Sequence, residues 1–426
     1  MKINLRFGKC GLEVDLPDAN VRHVLRMNDL PPLSDPLQAC VHALVEPIQS
    51  PPLAEIARGK HSACIVVSDI TRPVPNEILL PPVLDCLDAS GLASDQITVL
   101  VATGLHRGNT PEEFTAMGLG EALRRGIRVV NHEARDPASH VLVGTTSLGI
   151  PALVDRRYVD AELKILTGLV EPHLMAGFSG GRKAICPGIC AADTIMAWHS
   201  PRMLEPKEAR QGNLTGNRVH EQALEVADLA GGADFIVNCV LDEQRRITGL
   251  FAGDMGAAHL AAVERAIQQT RVTIPRPVDI VVTSAAGYPL DLTFYQGAKG
   301  MVGAAPIVRE GGCIVIAQEN AEGIGGPEFT GLMLNLDDLH GHMRRVLETN
   351  ESSIDQWQAH VLEKTLRRCS VLNFSTCIDR DTQARLFVEP VSSVEEGVRL
   401  ALQRLGPDAT IAVIPEGPYV LCEVES

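Results

Sequence analysis

Between Gly168 and His199 the chain reads GLVEPHLMAGFSGGRKAICPGICAADTIMAWH, which gathers two histidines, a glycine-bracketed lysine and a Pro-Gly turn with little surface charge. Gly177, Gly180 and Gly181 remove Cβ atoms where backbone turns sharply or approaches a ligand, and Lys183 is the nearest amine. His173 and His199 flank the loop. Imidazole binds metals and moves protons near neutral pH, so one loop could hold a cofactor, bind a metal and transfer a proton. A lysine among small residues could also serve as a covalent anchor, since burial frees its nucleophilic form. The alternative is a solvated lysine on a turn.

Two more loops carry chemistry. SDITRPVP sets Asp69, Thr71 and Arg72 together. These groups can hold a ribose or phosphate, clamp a substrate carboxylate, or simply cap a helix beside an ion pair. ATGLHRGNT places His106 and Arg107 in one glycine turn. Further on, Tyr295, Gln296 and Lys299 lie in DLTFYQGAKG; on a helix, Tyr295 and Lys299 would share a face at i, i+4. Trp357 in DQWQ either lines an apolar pocket or packs a helix.

Several familiar sites are excluded. Arg182 precedes Lys183 and Ala184 follows it, so the loop fails the P-loop pattern. His173 and His199 make no H-E-x-x-H, and no cysteine pair completes a zinc spacing. The net charge of −15 disfavours nucleic acid or an anionic membrane as partner. Eleven cysteines without a C-x-x-C pair fit buried thiols in a reducing compartment. With no signal-peptide-like start and no apolar run of spanning length, the expected location is the cytoplasm.

Short apolar runs must position these loops. Ala63 to Val67, Ile97 to Val101, Ile127 to Val130, Leu163 to Leu169, Phe235 to Leu241, Ile280 to Thr283 and Cys313 to Ala317 read as buried parallel strands ahead of helices. The expected fold class is α/β, with two domains of mostly parallel sheet and a cofactor and substrate cleft between them. Loops beyond the strands' carboxyl ends should carry function. The proline-spaced Thr270 to Pro277 suggests a hinge at 271–277, between a domain over 1–270 that carries the cofactor and one over 278–426 that adds substrate contacts. Thr410 to Pro415 reads as a last strand that could return to the first domain.

Taken together, SDITRPVP, TGLHRG, NHEARD, EPHLMAGFSGGRKAICPGI, Trp198-His199 and YQGAK strongly resemble the nickel-dependent lactate racemase family over nearly the whole chain. The resemblance implies a pyridinium mononucleotide whose two sulfur donors form a pincer around nickel, tethered to Lys183. It implies His199 as the protein ligand to nickel, and His106 and His173 as the acid/base pair. Asp69 matches a cofactor-side residue, and with Thr71, Gly180 and Gly181 completes the expected cofactor set. Arg72, Tyr295, Gln296 and Lys299 match residues that hold the hydroxy acid, and Trp357 joins that set. Deprotonating Cα beside a carboxylate is very unfavourable, whereas transient oxidation to a keto acid needs only a base, a hydride acceptor and cations to hold the carboxylate. The expected activity is racemisation or epimerisation at C2 of a small 2-hydroxy acid; lactate, malate and sugar acids such as gluconate stay open. The expected partners are that substrate and cofactor-biosynthesis proteins. A nicotinamide-dependent dehydrogenase would show an early G-x-G-x-x-G, which is missing. A nickel or nucleotide carrier would not need the histidine pair or Lys299.

Overall fold

The computed structural model describes residues 1–425. The chain forms two compact units: an amino-terminal one of Asp29–His199 and Glu208–Gln269, and a carboxy-terminal one of Met1–Asn28, Ser200–Lys207 and the chain from Thr270 onward.

The sheet of the amino-terminal unit runs in the order Ile247–Gly253, Phe235–Leu241, Leu163–Leu169, Ala63–Ser68, Ile97–Ala102, Arg128–Asn131. Only the edge pair, Ile247–Gly253 with Phe235–Leu241, is antiparallel. Its central strands are rich in β-branched residues and do not alternate in polarity. Ile65, Val66, Val67, Ile165 and Leu166 are all fully buried, because helices cover both faces. The helix Asn76–Ala89 sends Leu79, Leu80, Val83, Leu84 and Leu87 into the same core as Ile65, Val67 and Val99. Each such side chain contributes about 1.5–3 kcal/mol of burial free energy. From Ala63–Ser68 the chain steps outward to Ile97–Ala102 and Arg128–Asn131, then returns to the other side of Ala63–Ser68 as Leu163–Leu169. The strand order therefore reverses between Ala63–Ser68 and Leu163–Leu169, and open parallel sheets bind ligands beyond the carboxyl ends at such a reversal.

The carboxy-terminal unit holds a parallel sheet in the order Glu389–Pro390, Ser370–Phe374, Val308–Ala317, Val278–Ser284, Ile411–Ile414, Val21–Val24. The helix Phe294–Ala304 follows Val278–Ser284. It approaches the strands closely through glycines: a Cβ on Gly297 would meet Gln318 Oε1 at 1.6 Å, and one on Gly300 the Ser284 carbonyl at 2.4 Å.

The unit boundaries depart from 1–270 and 278–426 in three ways. First, Val21–Val24 pairs with Ile411–Ile414, so the first 28 residues complete the carboxy-terminal sheet. VRHV is too short and too polar to read as a buried strand, and its partner lies nearly four hundred residues away. Second, the expected hinge contains a strand, Arg271–Ile274, that pairs in parallel with Leu421–Val424. Third, Thr410 to Pro415 supplies an interior strand, while Leu421–Val424 is the last one and stays in the carboxy-terminal unit. The short Ser200–Lys207 segment groups there as well. Lys364 Nζ donates to the Leu204 carbonyl at 2.7 Å, and Glu205 accepts from His360 Nε2 at 2.8 Å and from Arg367.

Asn20 links the amino-terminal strand to the far end of the chain. It is buried, and its Nδ2 donates to the Pro407 and Ala409 carbonyls at 2.8 and 2.9 Å. Asn20→Ala is expected to lower stability by about 1–3 kcal/mol, because the buried bond to the Ala409 carbonyl and the partly buried one to Pro407 are both lost. Urea denaturation followed by circular dichroism measures it, and a change below about 0.5 kcal/mol would contradict this role for Asn20.

Candidate active site

The loops that follow Ala63–Ser68 and Leu163–Leu169 both open at the strand-order reversal. The first carries Asp69, Thr71 and Arg72; the second runs from Glu171 through His173 to Lys183. Arg72 Nε lies 3.9 Å from Glu171 Oε1, so the two loops meet. His106 arrives from the turn after Ile97–Ala102.

Asp69 is buried and binds His106: Oδ2 lies 2.6 Å from Nδ1, while Oδ1 accepts from Thr71 Oγ1 at 2.6 Å. Burial raises the Asp69 pKa, but the bond from His106, together with the charges of His106 and Arg72, holds it below the ordinary carboxylate value. An ionised Asp69 accepts the hydrogen bond of Nδ1–H and so leaves Nε2 of His106 with a basic lone pair. The side chain of His106 is 45% exposed, so that lone pair is open to a substrate. Asp69 and Thr71, expected on the cofactor side, thus contact His106 and each other. Arg72 Nη1 donates to Thr71 Oγ1 at 3.2 Å.

His173 is held in the opposite sense. It forms a two-residue strand with Pro172, paired with Gly177–Phe178. Its Nδ1 accepts from the backbone N–H groups of Met175 and Ala176 at 3.3 and 3.2 Å. Backbone N–H groups can only donate, so Nδ1 is the accepting nitrogen, and Nε2 lies 3.1 Å from Lys183 Nζ. Lys183 Nζ also lies 5.1 Å from the centre of the Trp198 ring.

His199 caps the helix Ala192–Trp198, and its Nδ1 donates to the Ile195 carbonyl at 3.0 Å. That bond fixes the tautomer and leaves the Nε2 lone pair for a metal. Burial, reinforced by the Lys183 charge, pushes its pKa down to about 3, so the imidazole is neutral at physiological pH. Among the described residues no group of three His, Cys, Asp or Glu could hold a metal ion. A metal bound here through His199 would need its other donors from a cofactor, which is the set the lactate racemase resemblance describes.

The glycines of this loop are required by the packing of protein behind them. Gly180 and Gly181 have φ of +76° and +50°. A Cβ on Gly180 would meet Asn238 Oδ1 at 2.8 Å, and one on Gly181 would meet the His259 ring at 2.8 Å. Gly181 N–H already donates to Asn238 Oδ1 at 2.9 Å, so it is not free for a phosphate. Arg182 is 1% exposed and donates to the carbonyls of Ala176 at 2.8 Å and Gly180 at 3.4 Å, bracing the turn from inside. Burial pushes its pKa down to about 9, which leaves it charged at neutral pH. Asn238, Arg182 and His259 had no sequence signature. An asparagine within an apolar strand, FIVNCVL, was the one available hint.

In the carboxy-terminal unit, Tyr295, Gln296 and Lys299 lie on the helix Phe294–Ala304, whose Thr293 cap accepts from Gln296 N–H. Lys299 Nζ donates to Gln296 Oε1. Trp357 is 7% exposed, and its Nε1 donates to Tyr295 Oη at 2.9 Å, so tryptophan and tyrosine form one wall with Phe329 set edge-on to Tyr295. Trp357 thus packs within its unit and belongs to the same cluster as Tyr295.

A parallel α/β unit whose strand-order reversal gathers a histidine–aspartate pair, a second histidine beside a lysine, and a buried neutral histidine has the composition of an enzyme active site. Residues 7–212 match the lactate racemase N-terminal domain and residues 274–422 the lactate racemase C-terminal domain. The lactate racemase of Thermoanaerobacterium thermosaccharolyticum is 34% identical over 98% of both chains, and that of Lactiplantibacillus plantarum 37% identical over 89% of both. The apoprotein structure of the former superposes with a TM-score of 0.93 over the full length of both chains. A Thermotoga maritima protein, 18% identical with a TM-score of 0.69 over 93% of this chain and all of that one, shares the fold. The chain belongs to the lactate racemase family. It is a racemase, hence an isomerase, and the family implies a nickel-containing cofactor. No helix among the described residues is long and apolar enough to cross a membrane.

The buried histidines predict an acid limit to stability. Burial first, then the charge of Lys183 or Arg182, pushes His199, His220 and His259 down to about 3. Unfolding returns each to about 6.5, so below that pH the unfolded chain binds more protons than the folded one. Stability is therefore complete above about pH 6.5 and falls as pH drops toward 3. Denaturation midpoints at pH 7.5 and 4.5 test this, and equal midpoints would contradict it.

Proposed function

We propose that this racemase inverts C2 of a small 2-hydroxy acid such as lactate, with a nickel-bearing pyridinium mononucleotide tethered to Lys183 and ligated through His199. The observation that carries the reading is the opposite setting of two histidines from neighbouring loops. His106 has its Nδ1 engaged by the Asp69 carboxylate, whereas His173 has its Nδ1 engaged by backbone N–H donors and its Nε2 beside Lys183.

When bound, the cofactor supplies an electron-poor carbon that can take a hydride from C2. His106 removes the hydroxyl proton of one enantiomer, and the imidazolium so formed is stabilised by Asp69. When the hydroxy acid is re-formed on the other face, the oxygen is reprotonated by His173 acting as an imidazolium, so that its ring passes between charged and neutral forms as that of His106 does. In the reverse direction the two exchange tasks, so loss of either slows both directions. Arg72 is assigned the substrate carboxylate through its guanidinium. Lys299, Gln296, Tyr295 and Trp357 are assigned to substrate binding, as one cation, polar groups and an aromatic wall suited to a carboxylate, a hydroxyl and a small side chain. Cofactor-biosynthesis proteins are the proposed maturation partners.

Since the histidines handle only the hydroxyl proton, a substrate deuterated at C2 is expected to racemise with its deuterium retained in ordinary water. NMR and mass spectrometry of the product measure it. Washout of deuterium in step with racemisation would replace this route with carbanion chemistry.

Asp69→Asn keeps the shape of the pair but removes its charge. Turnover is expected to fall roughly 10- to 100-fold, the scale for losing the carboxylate behind a working imidazole. Bound nickel and the denaturation midpoint should change little. A variant with wild-type turnover would remove Asp69 from the mechanism.

A further inference from the structure

Trp198 directly precedes His199 in the chain. It is fully buried at the end of the helix Ala192–Trp198, and its Nε1 donates to the Val219 carbonyl at 2.8 Å, which fixes the plane of the indole. Two residues of the site meet this one ring. Lys183 Nζ lies 5.1 Å from the ring centre, over its face. The His199 ring meets it at 4.5 Å between centroids with the planes 76° apart. The face of an indole is electron-rich, so it attracts the N–H bonds of an amine, and more strongly when the amine is protonated. An edge-on imidazole is a favourable partner for the same reason.

We propose that Trp198 is a positioning residue which sets the Lys183 amine and the His199 ring at a fixed separation, so that a cofactor joined to one can place its metal at the other. The bond to Val219 is part of the device: without it the indole could tilt, and both partners would move. The proposal rests on the reading of Lys183 as tether and His199 as metal ligand. A tryptophan present only to fill the core would leave the amine's reactivity to its other neighbours.

The test uses the full-length apoprotein and needs neither cofactor nor turnover. Trace acylation with acetic anhydride, followed by peptide mass spectrometry, gives the labelling rate of Lys183 relative to the exposed Lys2. In Trp198→Leu the Lys183 rate is expected to rise at least threefold relative to Lys2, with Trp198→Phe intermediate because it keeps a ring face but loses the bond to Val219. Unchanged or slower labelling of Lys183 in a folded Trp198→Leu variant overturns the proposal. If that variant does not fold, the native ring reports instead. In Trp357→Phe, Trp198 is the sole tryptophan, and its emission is expected to change by at least a fifth when Lys183 is acylated. Emission that ignores acylation also overturns the proposal. Finding Lys183 unmodified in active enzyme from the native host would refute the tether reading separately, while leaving the labelling result intact.

Discussion

Helices cover both faces of the amino-terminal sheet, and the rest of the structure follows from that constraint. A strand such as ACIVVS, buried on each side, cannot carry ionisable groups along its length without partners, so polar chemistry moves to the ends of the strands. Asp69 is the first residue after that strand, and Thr103 follows its neighbour Ile97–Ala102. Because the strand order reverses next to Ala63–Ser68, the loops after Ala63–Ser68 and Leu163–Leu169 lie side by side where an open parallel sheet takes its ligand. The same arrangement elsewhere receives dinucleotides through a glycine fingerprint. Here the glycines serve a different neighbour: Gly180 and Gly181 let Asn238 and His259 press against the turn, and Arg182 holds its carbonyls from within.

That interior brace has an electrostatic side. Among the described residues, Arg182 makes no ion pair with a carboxylate; its bonds go to backbone carbonyls and to His259. Its charge adds to burial in keeping His259 and His220 neutral. The region behind the loop thus carries one fixed positive charge in a chain whose net charge is −15. An anionic ligand at the loop would find this charge and Lys183 close in sequence and needing no rearrangement, which is what preorganisation means in electrostatic terms.

Much of this was legible in the sequence because it is local. Apolar runs such as Leu163–Leu169 and Phe235–Leu241 fall where the strands do, and loops rich in His, Arg and Gly fall at their ends. What escaped is non-local. Nothing in VRHV indicates that it pairs with Ile411–Ile414, and nothing in TRVTIPRP shows that Arg271–Ile274 pairs with Leu421–Val424; the prolines masked a strand. Asp69 could not be tied to His106 by spacing, since they are 37 positions apart with three elements between them. Asn238 and His259 lie farther still from the loop they support. Residue types announce chemistry, while the partner that tunes each residue is chosen by the fold.

The three site histidines make that last point concrete. His106, His173 and His199 are chemically identical, yet each has its Nδ1 engaged by a different kind of group: a carboxylate, a pair of backbone N–H donors, and a backbone carbonyl. A carboxylate favours a ring that can become charged, as a base must when it takes a proton. Backbone donors hold Nδ1 as an acceptor and leave Nε2 as the nitrogen that can exchange a proton. A carbonyl in a buried setting leaves a neutral ring with its Nε2 lone pair outward, as a metal ligand requires. Interchanging these partners would interchange the tasks without altering any of the three histidines, so the division of labour is encoded in Asp69, the Met175–Ala176 turn and the last turn of the helix before His199.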